Sequence, residues 1–339
     1  MSTGRRLLLA GAGLATLVAV VGGVWLARHL NPPGPPGPPV RVVIEPGTSV
    51  AGIAARLEDD DVLTSARVFR LYLKGRRAEE GFQAGEYVLR RRMSMGTALA
   101  ALRKGPDIAY QRLTVPEGLT LGEIAERVGR LPGRQAARFL ELAGSGRVRS
   151  RWQPPESRSL EGLLFPDTYL VTDREDEAAI LARLVRRFDE VATDVGLGRE
   201  PRPAQLSAYQ AIVAASLVEA EAKVPEDRPL IAAVIQNRLE AGMRLQIDAT
   251  VLYALGRHKS RVLFRDLEVD SPYNTYKVDG LPPTPIAAPG RAALQAMLDP
   301  AEVDYRYYVL FERNGKHAFA TTPAEFERLK AEARRKGVL

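Results

Sequence analysis

A chain of 339 residues that is 45% hydrophobic holds enough apolar material for about two compact domains, at roughly 150 residues each, and this excludes a disordered protein. The absence of cysteine excludes a disulfide framework, a thiolate metal site and a cysteine nucleophile. The excess of 48 basic over 41 acidic residues gives +7, but it is scattered in groups such as Lys74-Gly75-Arg76-Arg77 and Arg90-Arg91-Arg92, with no zinc-finger spacing or RNA-binding aromatic signature, so nucleic acid is not the expected partner.

The run Leu7–Ala27 is 21 residues without a charge, enough at about 1.5 Å per residue to cross a hydrocarbon core of about 30 Å. It predicts a transmembrane anchor, residues 7–27, behind a short tail, residues 1–6. A cleaved signal peptide fits less well. Its apolar region is typically about 7–15 residues, and Trp25-Leu26-Ala27 puts Trp where a small residue is needed. Arg5 and Arg6 before the run, with Trp25 at its far end, keep the amino terminus cytoplasmic and everything after residue 30 outside the cytoplasm. The prolines of residues 28–39 then make an extended spacer.

From Val40 the pattern turns to a short strand, Val40–Ile44, a Pro46-Gly47 turn and a helix with Val50, Ile53, Ala54 and Leu57 on one face. The phrase recurs 71 residues on, where Gly118, Thr120, Ile124 and Arg127 align with Gly47, Ser49, Ile53 and Arg56. Ala84–Leu89 predicts a returning strand and Met95–Arg103 a further helix. Residues 40–108 are therefore expected to form a small α+β module, and residues 109–339 a larger α+β domain with a helical core. In the latter, Phe165 and Tyr169 offer rings for stacking on a flat substrate face, but core positions are the commoner use of such residues.

Glu175–Glu190 is helical, with Ile180, Leu181, Leu184, Val185 and Phe188 in one stripe. A second helix is expected from Pro203, its stripe formed by Leu206, Tyr209, Ile212, Val213, Ser216 and Leu217. Two acids, Glu219 and Glu221, lie on the margins of that stripe. A carboxyl pressed against apolar surface loses solvation of its charged form and can hold a proton near neutral pH as a general acid. Periodicity does not choose between the two. A further helix follows from Pro229 to Gly242, then an alternation predicting a strand, with Met243, Leu245 and Ile247 on one side and Arg244, Gln246 and Asp248 on the other. Thr250–Leu255 is a short helix carrying Tyr253. Residues 270–290 hold five prolines and no periodicity, which predicts a functional loop. Helix 291–298, a hairpin around Asn314-Gly315 and a basic helix after Pro323 close the chain.

Several motifs together resemble the endolytic murein transglycosylases of the YceG-like group: Leu160-Glu161-Gly162 with Phe165-Pro166-Asp167-Thr168-Tyr169, Ala215-Ser216-Leu217-Val218-Glu219, Asn237-Arg238-Leu239, Gly242–Gln246 with Asp248 and Thr250, Tyr273-Asn274-Thr275-Tyr276, and Gly280-Leu281-Pro282-Pro283 with Pro285-Ile286. The resemblance implies a single-pass enzyme of the cell inner membrane with a LysM-like module at 40–108 and a periplasmic catalytic domain at 109–339, without cofactor or metal. Its substrate would be peptidoglycan glycan strands, and cell-wall synthases its expected partners. The catalytic glutamate of the group falls on Glu219. Gln246, Asp248, Asn274, Asn237, Tyr253 and Thr275 are the expected substrate-binding residues. The chain departs from the group's pattern at Ala220, Ile247, Ala249, Thr284 and Phe326.

The chemistry so implied needs one carboxyl rather than two. A hydrolytic glycosidase uses a second carboxylate to activate water or attack carbon, whereas here the muramyl C6 hydroxyl attacks. Asp248 could instead pair with Glu219 in a lysozyme-like hydrolase. A wall-binding scaffold without cleavage is the rival from another class.

Overall fold

The computed structural model describes residues 3–200, 203–256 and 262–339. Its contacts divide into two units, one of residues up to Arg112 with Leu170–Arg174, the other of Leu113–Tyr169 with Glu175–Leu339.

The first unit opens with helix α1, Thr3–Leu30. Along its described stretch the apolar side chains of Leu17, Val18, Val20, Val21, Val24 and Trp25 are exposed. Among the described residues no helix is long and apolar enough to cross a membrane. The side chains of residues 3–12, 14 and 15, which carry the first part of the uncharged run, lie outside that description. The carboxyl end of α1 is tied down: His29 Nδ1 lies 2.8 Å from Thr64 Oγ1, and Leu30 packs on the core of the unit.

That core lies between a sheet and three helices. Strands β1 (Pro39–Ile44) and β2 (Gly85–Arg90) pair antiparallel, from Pro39 opposite Arg90 to Ile44 opposite Gly85. With β3 (Ile108–Thr114) and β4 (Thr168–Thr172) they make a four-stranded sheet of order β1-β2-β3-β4. The two-residue period of a strand turns Val42, Ile44, Tyr87 and Leu89 to one face. There they meet Ile53 and Leu57 of α2 (Val50–Asp59), Phe69 and Leu73 of α3 (Ala66–Gly75), and Met95 and Leu102 of α4 (Met95–Lys104). Each helix starts at a serine, Ser49, Ser65 or Ser94, whose hydroxyl accepts from the backbone N–H three residues on. The expected strand at 40–44 and helix at 95–103 are both present. Helix α3 and the strands β3 and β4 are additions to the sequence expectation.

The second unit is mainly helical. Helices α5 (Leu121–Gly129), α6 (Ala136–Gly144) and α7 (Glu177–Asp194) lead to α8 (Ala208–Glu221), α9 (Asp227–Glu240) and α10 (Asp248–Leu255). Helix α11 (Arg291–Leu298), a hairpin of β5 (Tyr307–Leu310) and β6 (His317–Ala320), and helix α12 (Pro323–Arg335) complete it. Helix α8 packs against α9, α10 and α11 and is the centre of the unit. It begins later than Pro203 predicts: a 3₁₀ turn takes Pro203–Gln205, and Ser207 then caps α8, exchanging hydrogen bonds with Gln210.

The alternation at 243–248 forms no ladder strand. Leu245 and Ile247 are buried and Gln246 is exposed, as a strand would have them, but in place of a ladder the segment is held by scattered bonds: Met243 N donates to Arg238 O, Gln246 N to Thr275 O and Ile247 N to Thr275 Oγ1, and the carbonyls of Arg244 and Leu245 accept from Arg238. The period is satisfied by burial alone, and Asp248 falls in the first turn of α10. Gly162 shows why its motif needs a glycine. Its φ is 72°, and a Cβ there would stand 2.2 Å from the Cβ of Pro285. Glycine there lets Pro285 of the proline-rich loop sit close against the turn that carries Glu161.

Candidate active site

Residues Ala211 to Val218 of α8 are all buried, so beyond its first turn the helix presents side chains to open space only at its last. Ser216 fixes the loop beside that turn: its hydroxyl donates to Val213 O at 2.7 Å and accepts from Ile286 N at 3.1 Å. The three residues that follow Val218 then enter three different surroundings, because successive helical side chains diverge by about 100°.

Glu219 accepts at Oε2 from the N–H of Gly290, 3.0 Å away, at the start of α11. Burial pushes its carboxyl above the ordinary range. The Gly290 hydrogen bond and the charges of Arg228 and Lys223 oppose that rise, and the negative charge of Glu117 adds to it. Asp248 lines the cavity of Glu221, whose carboxyl its charge raises. The carboxylate acting on Glu219 is Glu117, from the Val115-Pro116-Glu117-Gly118 turn.

Ala220 borders a cavity of about 860 Å³ that also takes in Glu161, Tyr253 and Tyr273. The two tyrosine rings lie 4.8 Å apart at 52°, and the Tyr273 hydroxyl bonds to Thr284 Oγ1 at 2.8 Å. Glu161 is 6% exposed and is held by Leu121 N and the Tyr253 hydroxyl, which donate to its two oxygens. Burial raises its carboxyl to about 7. The unfolded chain releases this proton near pH 4.5 while the fold keeps it, so stability falls as pH rises between about 4.5 and 7, by about 3 kcal/mol. In Glu161→Gln the amide can serve both partners without titrating. Urea midpoints measured across that window should fall less steeply in the variant than in the native protein.

Glu221 faces a second cavity, about 840 Å³, with Gln246, Asp248, Tyr276, Tyr308 and His317. The Tyr308 hydroxyl donates to Glu221 at 3.1 Å and that of Tyr276 to Asp248 at 2.6 Å. Burial raises the Glu221 carboxyl, and the charge of Asp248 adds to this. Arg238 closes the floor by donating to the carbonyls of Arg306, Arg244 and Leu245 while its guanidinium lies over the Tyr307 ring. Leu252 of α10 lines both cavities.

The residues singled out in the sequence divide between surface and interior. Gln246 and Asp248 reach the cavity of Glu221, and Tyr253 reaches that of Glu161. The other three brace the fold. The Asn237 amide donates to the carbonyls of Val303 and Tyr305, and Thr275 is 2% exposed and bonded to Ile247 N and Thr250 Oγ1. Asn274 is fully buried, its amide donating to the carbonyls of Leu267 and Val269. Phe165 and Tyr169 are also interior, with the Tyr169 hydroxyl donating to Phe165 O. Glu117, Gly290, Tyr276, Tyr308 and His317 line these surroundings without having been singled out. A signal existed for the tyrosines and the histidine in the polar faces of the aromatic loop and hairpin, but none for Glu117. Among the described residues no group of His, Asp and Glu is placed to hold a metal ion.

The sequence profile of the YceG-like family matches residues 42–332. The endolytic murein transglycosylase of Bacillus subtilis (strain 168) is 36% identical over 306 residues, covering 86% of this chain and 84% of the relative. The enzyme of that name from Streptococcus pneumoniae (strain D39) is 30% identical over 322 residues, and the alignment takes in 58% of its length. A crystal structure of a yceG-like protein from Listeria monocytogenes superposes with a TM-score of 0.60 at 33% identity, covering 86% of this chain and 98% of that one.

Proposed function

Since the chain belongs to the YceG-like family, we propose that it is an endolytic murein transglycosylase, which cuts peptidoglycan glycan strands internally with Glu219 as general acid and then base. The observation that carries the choice of residue is the Glu219 carboxyl itself, desolvated at the end of a buried helix and held by one backbone N–H. Protonated, it donates to the glycosidic oxygen between N-acetylmuramic acid and N-acetylglucosamine. The carboxylate so formed takes the proton of the muramyl C6 hydroxyl as that oxygen closes on C1, leaving a 1,6-anhydro end. Proton count is conserved, no water is consumed, and one carboxyl suffices. The tyrosine pair Tyr253 and Tyr273 offers an apolar face with polar edges, the chemistry that suits a sugar ring.

A lysozyme-like hydrolase has one observation in its favour, the second carboxylate at Glu117. Mass spectrometry of the products separates the two reactions. Purified protein and glycan strands should give anhydro-muramyl ends, and reducing ends one water heavier would make the enzyme a hydrolase with Glu117 as the second carboxylate.

The same family membership gives the anchor its meaning. Residues 7–27 hold the enzyme in the inner membrane with the amino terminus in the cytoplasm, residues 40–108 form a LysM-like module, and the catalytic unit works on nascent strands beside the cell-wall synthases. Helix α1 is 28 residues, about 42 Å at 1.5 Å per residue, and exposes Leu17, Val18, Val21 and Trp25. Protease added outside spheroplasts should remove the catalytic unit and leave an amino-terminal tag protected; the opposite pattern would invert the topology.

A further inference from the structure

Glu117 lies next to the proposed acid by construction. Gly118 N donates to Ala288 O at 2.9 Å and Ala288 N to Leu119 O at 2.8 Å, so the Pro116–Leu119 turn is clipped to the segment that leads into α11. The clip brings the Glu117 carboxyl onto Gly290. A Cβ on Gly290 would stand 1.8 Å from Glu117 Oε1 and 2.2 Å from its Cδ. With φ −77° and ψ 173°, the Gly290 backbone is one that any residue adopts. The space beside Gly290 is filled by the exposed Glu117 carboxyl, which a side chain there would displace. The N–H of the same glycine is the hydrogen bond to Glu219.

We propose, on the footing of Glu219 as the acid, that Glu117 is a positioning residue of the reaction: seated on Gly290, its negative charge holds Glu219 in the acid form that the first step needs. Like charges so placed disfavour ionisation of the second group. The charges of Lys223, just past α8, and Arg228, in α9, favour the Glu219 carboxylate, and the Gly290 N–H does the same. Glu117 is the counterweight to these three. Since it is exposed, its effect is screened by salt.

The test is the pH dependence of kcat/KM for release of anhydro ends from purified glycan strands, measured by mass spectrometry on the full chain. The alkaline limb reports loss of the acid's proton. In Glu117→Gln that limb should move to lower pH, with a several-fold loss of rate above it and the rate below it retained. Glu117→Asp should restore part of the shift, and raising the salt should shrink the difference between Glu117→Gln and the native enzyme. Gly290→Ala, which keeps the N–H but displaces the Glu117 carboxyl, should move the limb the same way. Combined with Glu117→Gln, it should add little. A limb that stays in place in Glu117→Gln, at unchanged thermal midpoint, overturns the proposal, as does an equal loss at every pH. Full activity of Glu219→Gln would overturn the underlying assignment instead, so the two failures are distinguishable.

Discussion

Glu219→Gln should lower the rate of anhydro-end formation by about a thousandfold or more while leaving the thermal midpoint within a degree or two of the native one. Removing a positioned general acid typically costs about 10²–10⁴ in rate, and here the same group also serves as the base, so both proton transfers are lost. The substitution is nearly isosteric. The glutamine Oε1 can still accept from Gly290 N, and the amide fills the same half-buried space as the carboxyl, so no neighbour has to move. Glu221→Gln is the matched control. Its carboxyl is also raised by burial, and it borders a large cavity, so the shift alone would nominate it equally. Its oxygen is engaged by the Tyr308 hydroxyl, a contact the amide can keep, and its variant should retain most of the rate. A reversal of the two results would move the chemistry to the cavity of Asp248 and Tyr276.

Asn274→Ala should destabilise the protein by about 3–4 kcal/mol, read as a lowered urea midpoint, while KM for glycan strands is unchanged wherever the variant is folded. Three side-chain hydrogen bonds vanish together: the two from the amide to Leu267 O and Val269 O, and the one that Oδ1 accepts from Tyr276 N. Each buried group left without a partner costs about 1–3 kcal/mol, and solvent recovers part of this as the loop opens. The backbone of Asn274 also anchors the loop, its N–H donating to Ser271 O and its carbonyl accepting from Lys277 N and Val278 N. A KM rise at unchanged stability would instead put Asn274 at the substrate.

These two predictions mark where the sequence could and could not be read. The hydrophobic period located most helices of the second unit, though not α6, and the phrase that recurs from Gly47 and Ser49 at Gly118 and Thr120 marked α2 and α5. At 270–290 the absence of period, the prolines and the aromatics marked a special segment, but not that Asn274 would be spent on holding it. An asparagine amide looks the same whether its hydrogens meet a sugar or two carbonyls 2.8 Å away. The stripe read along α8 was too narrow, because alanine counts weakly in any period and Ala211, Ala214 and Ala215 are as buried as the leucines. Helical geometry left Glu219 and Glu221 undecided, and only the resemblance separated them. Glu117 could not be found at all. It is brought to Gly290 by a clip between segments more than 160 residues apart, and no local pattern encodes that.

The burial of α8 from Ala211 to Val218 also sets where this enzyme has room to drift. Ala211, Ala214 and Ala215 lie in a helix enclosed by α9, α10 and α11, and any enlargement there must push a neighbouring helix aside. Those positions are closed to gradual change. The last turn is not: Ala220 borders a cavity, and Lys223 just beyond it is exposed. On the footing of Glu219 as the acid, exchanging charges around the helix tip one residue at a time would retune the working pH while leaving the buried middle of α8 undisturbed.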